Sequence, residues 1–171
     1  MAVQAESSEP LDPARLAEYL GRLCRERGIV VSTAESCTGG GVASAITGVA
    51  GSSDYFETGY VTYANTAKTR LLGVPETVLA EHGAVSRQVV EAMVAGACAE
   101  SGADLAVAVS GVAGPGGGTD GKPVGTVWLA WGNGWQRDAE CRHFAGDRDA
   151  VREAAVREAL VGLIRWLTPH G

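Results

Sequence analysis

Lysine is nearly absent from this 171-residue chain: Lys68 and Lys122 stand against twelve arginines. Histidine is scarce at three residues, and aromatics make up 6%. The four cysteines (Cys24, Cys37, Cys98, Cys141) lie far apart with no C-x-x-C pair, which leaves neither a cysteine zinc signature nor a redox pair. No apolar run reaches the roughly 18 residues of a membrane span. No charged segment followed by an apolar one opens the chain as a secretory signal would. The net charge of -6 argues against a nucleic-acid surface, which needs clustered cations. These absences predict a cytoplasmic protein with reduced thiols, and no membrane or nucleic-acid partner.

What is plentiful is small. Glycine occurs 24 times, and 46% of residues are hydrophobic, ordinary for a globular chain of one domain. Glycine on that scale suggests tight turns and backbone brought close to a ligand.

Residues 1–11 are polar and aperiodic and read as a disordered tail, with the folded domain over 12–168. Asp12-Pro13 has the form of an N-cap and first helical residue, and Leu16, Leu20 and Leu23 give the helix a stripe that Gly28 ends. A buried strand over 29–34 leads through Gly39-Gly40-Gly41 into a second helix. An extended segment follows over 55–63. Asn65 is placed to cap a short helix carrying Lys68, Pro75 opens another toward His82, and Ser86 caps a longer one. Residues 105–109 read as a buried strand and 111–121 as a glycine-dense loop. Residues 124–131 and 136–144 form a hairpin around Gly132-Asn133-Gly134, and Asp147 caps the last helix. The alternation predicts an α/β fold: a single-domain, layered α/β/α arrangement on a mixed, mostly parallel sheet ending in a β-hairpin. An exposed apolar face on the helix after Ser86, or on the Trp128/Trp131 strand, would favour a homo-oligomer, a dimer first.

Two features point to chemistry. Lys68 is an amine kept where guanidinium is the habit. Arginine stays charged, whereas a desolvated lysine can lose its proton and act as a base. Ser36 follows a buried strand and precedes a glycine-rich helix start, where open α/β sheets bind ligands. As a rival it would merely cap the helix. The amides of Cys37, Thr38, Gly39 and Gly40 are candidate oxyanion or phosphate donors. Tyr63, at a strand end, is placed to relay a proton. Ser110 and the loop through Gly111, Ala113 and Gly114 resemble an anion-binding nest, and Arg148 at a helix start can reach a phosphate. Lys122-Pro123 is placed to close over that loop. His82 reads as structural. Cys37 is a rival nucleophile, because a helix N-terminus lowers a thiol pKa.

The string Thr33-Ala34-Glu35-Ser36-Cys37-Thr38-Gly39-Gly40 resembles the opening signature of the CinA C-terminal domain family. Gly59-Tyr60-Val61-Thr62-Tyr63, Ala67-Lys68, His82-Gly83-Ala84-Val85-Ser86, the segment Ser110 to Gly117, Lys122 to Val127 and Gly146-Asp147-Arg148 continue the likeness. The family includes nicotinamide-nucleotide amidohydrolases, which hydrolyse the carboxamide of nicotinamide mononucleotide to nicotinate mononucleotide and ammonia. The resemblance implies a stand-alone enzyme of this type. It implies Ser36 as nucleophile, Tyr63 and Lys68 as activating partners, no metal and no cofactor. The nucleotide is expected to meet Thr33, Glu35, Cys37, Thr38, Gly39, Gly40, Ser110, Gly111, Ala113, Gly114 and Arg148. The alternative is a non-catalytic nucleotide- or phosphate-binding module of the same fold.

Overall fold

The structure is a computed structural model that describes residues 11–168. The expected tail over 1–11 falls outside the described residues apart from Leu11, and His170 lies outside them. Six helices and five strands follow in the order α1 (Pro13–Arg27), β1 (Val31–Glu35), α2 (Gly41–Thr47), β2 (Phe56–Val61), α3 (Asn65–Leu72), α4 (Glu76–His82), α5 (Arg87–Ser101), β3 (Leu105–Gly111), β4 (Thr126–Gly132), β5 (Arg137–His143) and α6 (Arg148–Leu167). The strands form one mixed sheet in the order β2-β1-β3-β4-β5. β2, β1 and β3 run parallel, whereas β4 and β5 add antiparallel ladders. Parallel pairing therefore accounts for half of the four ladders.

Side-chain alternation sorts the sheet into two unlike faces. Leu105, Val107 and Val109 of β3 and Val127, Leu129 and Trp131 of β4 pack with α1, α2 and α6. Ala106, Ala108 and Ala130 face the other way and pack with α5. Small residues on that face let α5 lie close to the strands. Trp131 is enclosed by α6, its indole Nε1 donating to the Ala159 carbonyl at 2.9 Å. Val89, Val90, Met93 and Val94 of α5 are likewise buried within the chain. The α5 residues and Trp131 are thus covered inside this fold, whereas Trp128 is half-buried.

Helix ends follow local chemistry. Asp12, Ser86 and Asp147 each cap α1, α5 and α6 by accepting an amide three residues on. α3 differs from expectation: Ala64 occupies the cap position without a side-chain bond and Asn65 is the first helical residue. Ser36 is no cap either, since α2 begins only at Gly41, behind Gly40.

Connections decide where a ligand can enter. β1 leads through α2 to β2 on one side, whereas β3, its neighbour on the other side, leads away to β4. The carboxyl ends of β1 and β3 therefore flank a crevice at a switch point. α3, which forms one wall, is seated against α5 at Gly96: a Cβ there would lie 1.9 Å from the Leu72 carbonyl oxygen. Gly96→Ala should force α3 outward and cost about 1–3 kcal/mol, read as a lower urea midpoint at unchanged m-value.

Candidate active site

Ser36 and Lys68, 32 residues apart in sequence, meet at the end of β1. The Lys68 ammonium nitrogen lies 3.0 Å from Ser36 Oγ. It also donates to the carbonyls of Thr62 at 2.8 Å and Tyr63 at 3.1 Å. Lys68 is 0% exposed, and none of the ion pairs among the described residues involves it. Burial pulls its pKa down from 10.5 to about 8; a small opposing push comes from Cys37. Three acceptors satisfy the three N–H groups of an ammonium. A neutral amine would keep its two N–H groups on the carbonyls and turn its lone pair to the Ser36 hydroxyl.

Tyr63 joins this cluster through its backbone. Its carbonyl accepts from Lys68, and Ser36 Oγ lies 3.5 Å from it. Its side chain is 62% exposed, and its hydroxyl accepts from Arg148 Nη2 at 3.1 Å. The expected hydroxyl contact with the serine–lysine pair is therefore not formed. The strand ends at Val61, and the turn into α3 presents carbonyls 62 and 63 inward and the ring outward.

Residues around Ser36 are held from two sides. Strand alternation points Glu35 to the α2 face and Ser36 to the α3 face. Glu35 is wholly buried. Its carboxyl accepts from Thr38 Oγ1 at 2.7 Å, the amides of Val42 at 2.8 Å and Ala43 at 3.1 Å, and Thr33 Oγ1 at 3.3 Å. An acidic group at a helix N-terminus is favoured by the orphan amides and the dipole. Thr33, Glu35 and Thr38 thus act beneath the site and do not line it, contrary to the substrate contacts expected of them. From the opposite side, Arg152 of α6 donates to the carbonyls of Cys37 at 3.1 Å and Thr38 at 3.4 Å.

Of the four candidate donors at the helix start, that of Gly39 is spent. Gly39 N–H donates to the Ser36 carbonyl and Gly41 N–H to that of Thr38, each at 3.0 Å, and Glu35 takes Val42 and Ala43. The amides of Cys37, Thr38 and Gly40 have no bonded partner among the described residues. Gly39 and Gly40 serve the turn through positive φ values of 58° and 98°, and they do not line the cavity.

That cavity has a volume of about 220 Å³. Ser36, Cys37, Tyr63, Lys68, Ser110, Gly111, Ala113 and Arg148 line it as expected, with Asn65, Ala84 and Val85 in addition. Gly114 is absent from the lining. Its carbonyl accepts from Arg148 Nη1 at 2.8 Å, so this position offers an acceptor where a nest would offer a donor. Lys122 reaches across to the His82 carbonyl at 2.8 Å, tying the glycine-dense loop to the end of α4 beside Ala84 and Val85. Cys37 is corrected as a nucleophile: burial raises its thiol to about 11, so it stays protonated at neutral pH. Missed entirely from sequence was Arg152, although its place four residues after Arg148 puts both on one helical face. No cluster of three or more metal-ligating side chains occurs among the described residues, and no helix among them is long and apolar enough to cross a membrane.

A buried serine–lysine pair opening on a cavity at the carboxyl ends of the parallel strands of a mixed sheet is an arrangement suited to nucleophilic chemistry. The chain belongs to the CinA C-terminal domain family, whose profile matches residues 13–167. It is 61% identical over 156 residues to the nicotinamide-nucleotide amidohydrolase PncC of Pseudomonas putida, covering 91% of this chain and 98% of that protein. Identity to the nicotinamide-nucleotide amidohydrolase PncC of Escherichia coli strain K12 is 54% over 150 residues, covering 85% and 89%. The crystal structure of the competence/damage inducible protein CihA from Agrobacterium tumefaciens matches at TM-score 0.87 and 45% identity, covering 94% of this chain and 98% of that one.

Glu35 supplies a test of this architecture. Glu35→Gln keeps the shape but replaces an acceptor oxygen by NH2, leaving buried donors unpaired. Stability should fall by about 1–3 kcal/mol, measured by urea denaturation.

Proposed function

We propose that this chain hydrolyses the carboxamide of nicotinamide mononucleotide, giving nicotinate mononucleotide and ammonia. The observation that carries the reading is the 3.0 Å contact between Lys68 Nζ and Ser36 Oγ at a buried amine. The names of the PncC relatives supply the substrate class. Four unpaired thiols suit a reducing, cytoplasmic setting.

Primary amides resist water at neutral pH, and a nucleophile divides the reaction into two easier steps. Ser36 Oγ attacks the carboxamide carbon and passes its proton to neutral Lys68. The carbonyl oxygen becomes an oxyanion, for which the free amide of Cys37, with that of Thr38 beside it, is the nearest unspent donor; one such donor is typically worth about 3 kcal/mol. The C–N bond then breaks, and the proton on Lys68 moves to the departing nitrogen, which leaves as ammonia. Water attacks the resulting Ser36 ester, gives its proton to Lys68, and Lys68 returns a proton to Ser36 Oγ as the acid is released. Tyr63 contributes its carbonyl, which keeps Lys68 aimed. Its hydroxyl, paired with Arg148 at the rim, acts on binding.

Cavity size supports dividing the nucleotide between two hollows. The 220 Å³ cavity falls below the ~300–1,000 Å³ of sites that enclose a whole drug-sized ligand. It takes the pyridine carboxamide. A neighbouring hollow of about 570 Å³ shares Ala113 and Arg148 with it and adds Pro115, Val124, Gly146, Asp147 and Asp149, whose carboxylates leave Arg148 as the cation on that side. The ribose phosphate extends there, with Arg148 as its cation.

The first test is ammonia release from nicotinamide mononucleotide without added metal. Ser36→Ala and Lys68→Met should each lower kcat by about three orders of magnitude or more while circular dichroism is unchanged. Saturable nucleotide binding by wild type without any ammonia would instead support the non-catalytic module.

Lys68 also fixes a pH dependence. Its folded pKa is lowered to about 8, and the base form is the neutral amine. The value of kcat/KM should therefore rise with pH and level off above a midpoint near 8. A flat profile from pH 6 to 9 would remove Lys68 as the base. Arg148→Gln and Tyr63→Phe should act mainly on KM for the mononucleotide. A loss confined to kcat in Tyr63→Phe would return the hydroxyl to proton transfer.

A further inference from the structure

Resting on the acyl-transfer reading above, we propose that Arg152 is a positioning residue that fixes the peptide planes carrying the two unspent amides beside Ser36, those of Cys37 and Thr38. It does so by gripping the carbonyls of Cys37 and Thr38 from outside the cavity.

Peptide planes transmit this constraint. In a trans peptide the N–H of one residue points opposite to the C=O of the residue before it. Arg152 Nε takes the Cys37 carbonyl at 3.1 Å, so the Thr38 N–H is turned away from α6. Arg152 Nη2 takes the Thr38 carbonyl at 3.4 Å, which orients the Gly39 N–H. That N–H donates to the Ser36 carbonyl at 3.0 Å, and this bond in turn sets the Cys37 N–H on the far side of its own plane. One guanidinium thereby governs three successive planes, and two of these carry the amides that have no bonded partner among the described residues. The guanidinium is pressed against the turn: a Cβ on Gly39 would lie 3.2 Å from Arg152 Nη2. Its charge also lies behind the carbonyls, where it polarises the amides toward developing negative charge. Lysine cannot do this, because a fork is needed to reach two carbonyls with fixed relative geometry.

Arg152 touches neither Ser36 Oγ nor Lys68 among the described contacts, and it does not line the cavity. Its loss should leave substrate affinity and the Lys68 titration in place and impair only the step that builds charge on the carbonyl oxygen. The test compares Arg152→Met, Arg152→Lys and Arg152→Ala with wild type at temperatures well below each melting point. Two readouts are used: ammonia release, and the rate at which a small fluorophosphonate labels Ser36, followed by intact mass.

Arg152→Met should lower kcat and the labelling rate together by about tenfold or more, with KM and the midpoint of the pH limb unchanged. Arg152→Lys should recover only part of the loss, and added methylguanidinium should restore Arg152→Ala. The role is overturned if Arg152→Met labels and turns over within twofold of wild type. It is equally overturned if the loss follows the folded fraction and methylguanidinium does not reverse it. Wild-type protein that labels at Ser36 yet releases no ammonia would defeat the hydrolytic reading alone, since slower labelling in Arg152→Met would still uphold the role of Arg152.

Discussion

An amine taken out of water organises this structure. Lys68 has no ion-pair partner and no exposure, so its charge is compensated only by two backbone carbonyls and one hydroxyl. Desolvation without a countercharge drives a lysine toward neutrality. The number of acceptors matters as much as the burial. With carbonyls 62 and 63 occupying two N–H groups, the third position on nitrogen has a single neighbour, Ser36 Oγ. Proton transfer along that line leaves the Lys68 amine and the Ser36 oxygen paired in both states. A carboxylate beside Lys68 would have raised its pKa and held it protonated, and the site contains none within hydrogen-bond reach.

Strand geometry explains why neighbours in sequence do unlike work. Glu35 and Ser36 are consecutive, yet alternation sends the carboxyl toward α2 and the hydroxyl toward α3. The carboxyl is spent on the first turn of α2 and on two threonine hydroxyls. This closes the stretch 36–41 into a ring. Arg152 pins the same ring from α6. The amides of Ser36, Gly39 and Gly41 and the carbonyls of Ser36, Cys37 and Thr38 are used in holding shape, and the amides of Cys37, Thr38 and Gly40 are left over. Pre-organisation of this kind is paid at folding and not at the moment of reaction.

Much of this was legible in the sequence, for reasons that can be named. Lysine scarcity singled out Lys68, and the strand-to-glycine transition singled out Ser36, because composition and periodicity report burial and turns directly. The caps Asp12, Ser86 and Asp147 were legible because they act within three residues. Other assignments failed where direction was at stake. Thr33 and Glu35 were grouped with Ser36 by proximity, although a period of two already placed them on the opposite face. Tyr63 enters by its carbonyl, and residue identity carries no signal for a backbone role. Gly39 was read as a free donor, whereas its N–H is spent on the Ser36 carbonyl within the turn. Trp131 looked like an interface residue because its partners on α6 lie some thirty residues further on. Arg152 was invisible for the same reason: its carbonyl acceptors are more than a hundred residues away.

The same burial has a thermodynamic cost whose sign follows from linkage. A folded pKa near 8 against 10.5 for a solvated lysine amine means that the unfolded chain binds more protons at Lys68 between those two values. Stability rises with pH wherever the unfolded state holds more protons, so the contribution of Lys68 becomes more favourable across that window. Below about 8 the amine is protonated in both states, and the full penalty of a desolvated ammonium, on the order of 3 kcal/mol, is present. An apolar residue at position 68 would escape that penalty. The close seat of α3 on α5 at Gly96 holds the lysine in place despite it. Retaining a costly group at the one point where it meets a strand-end hydroxyl is what a functional site requires, and what a purely structural core would have no reason to tolerate.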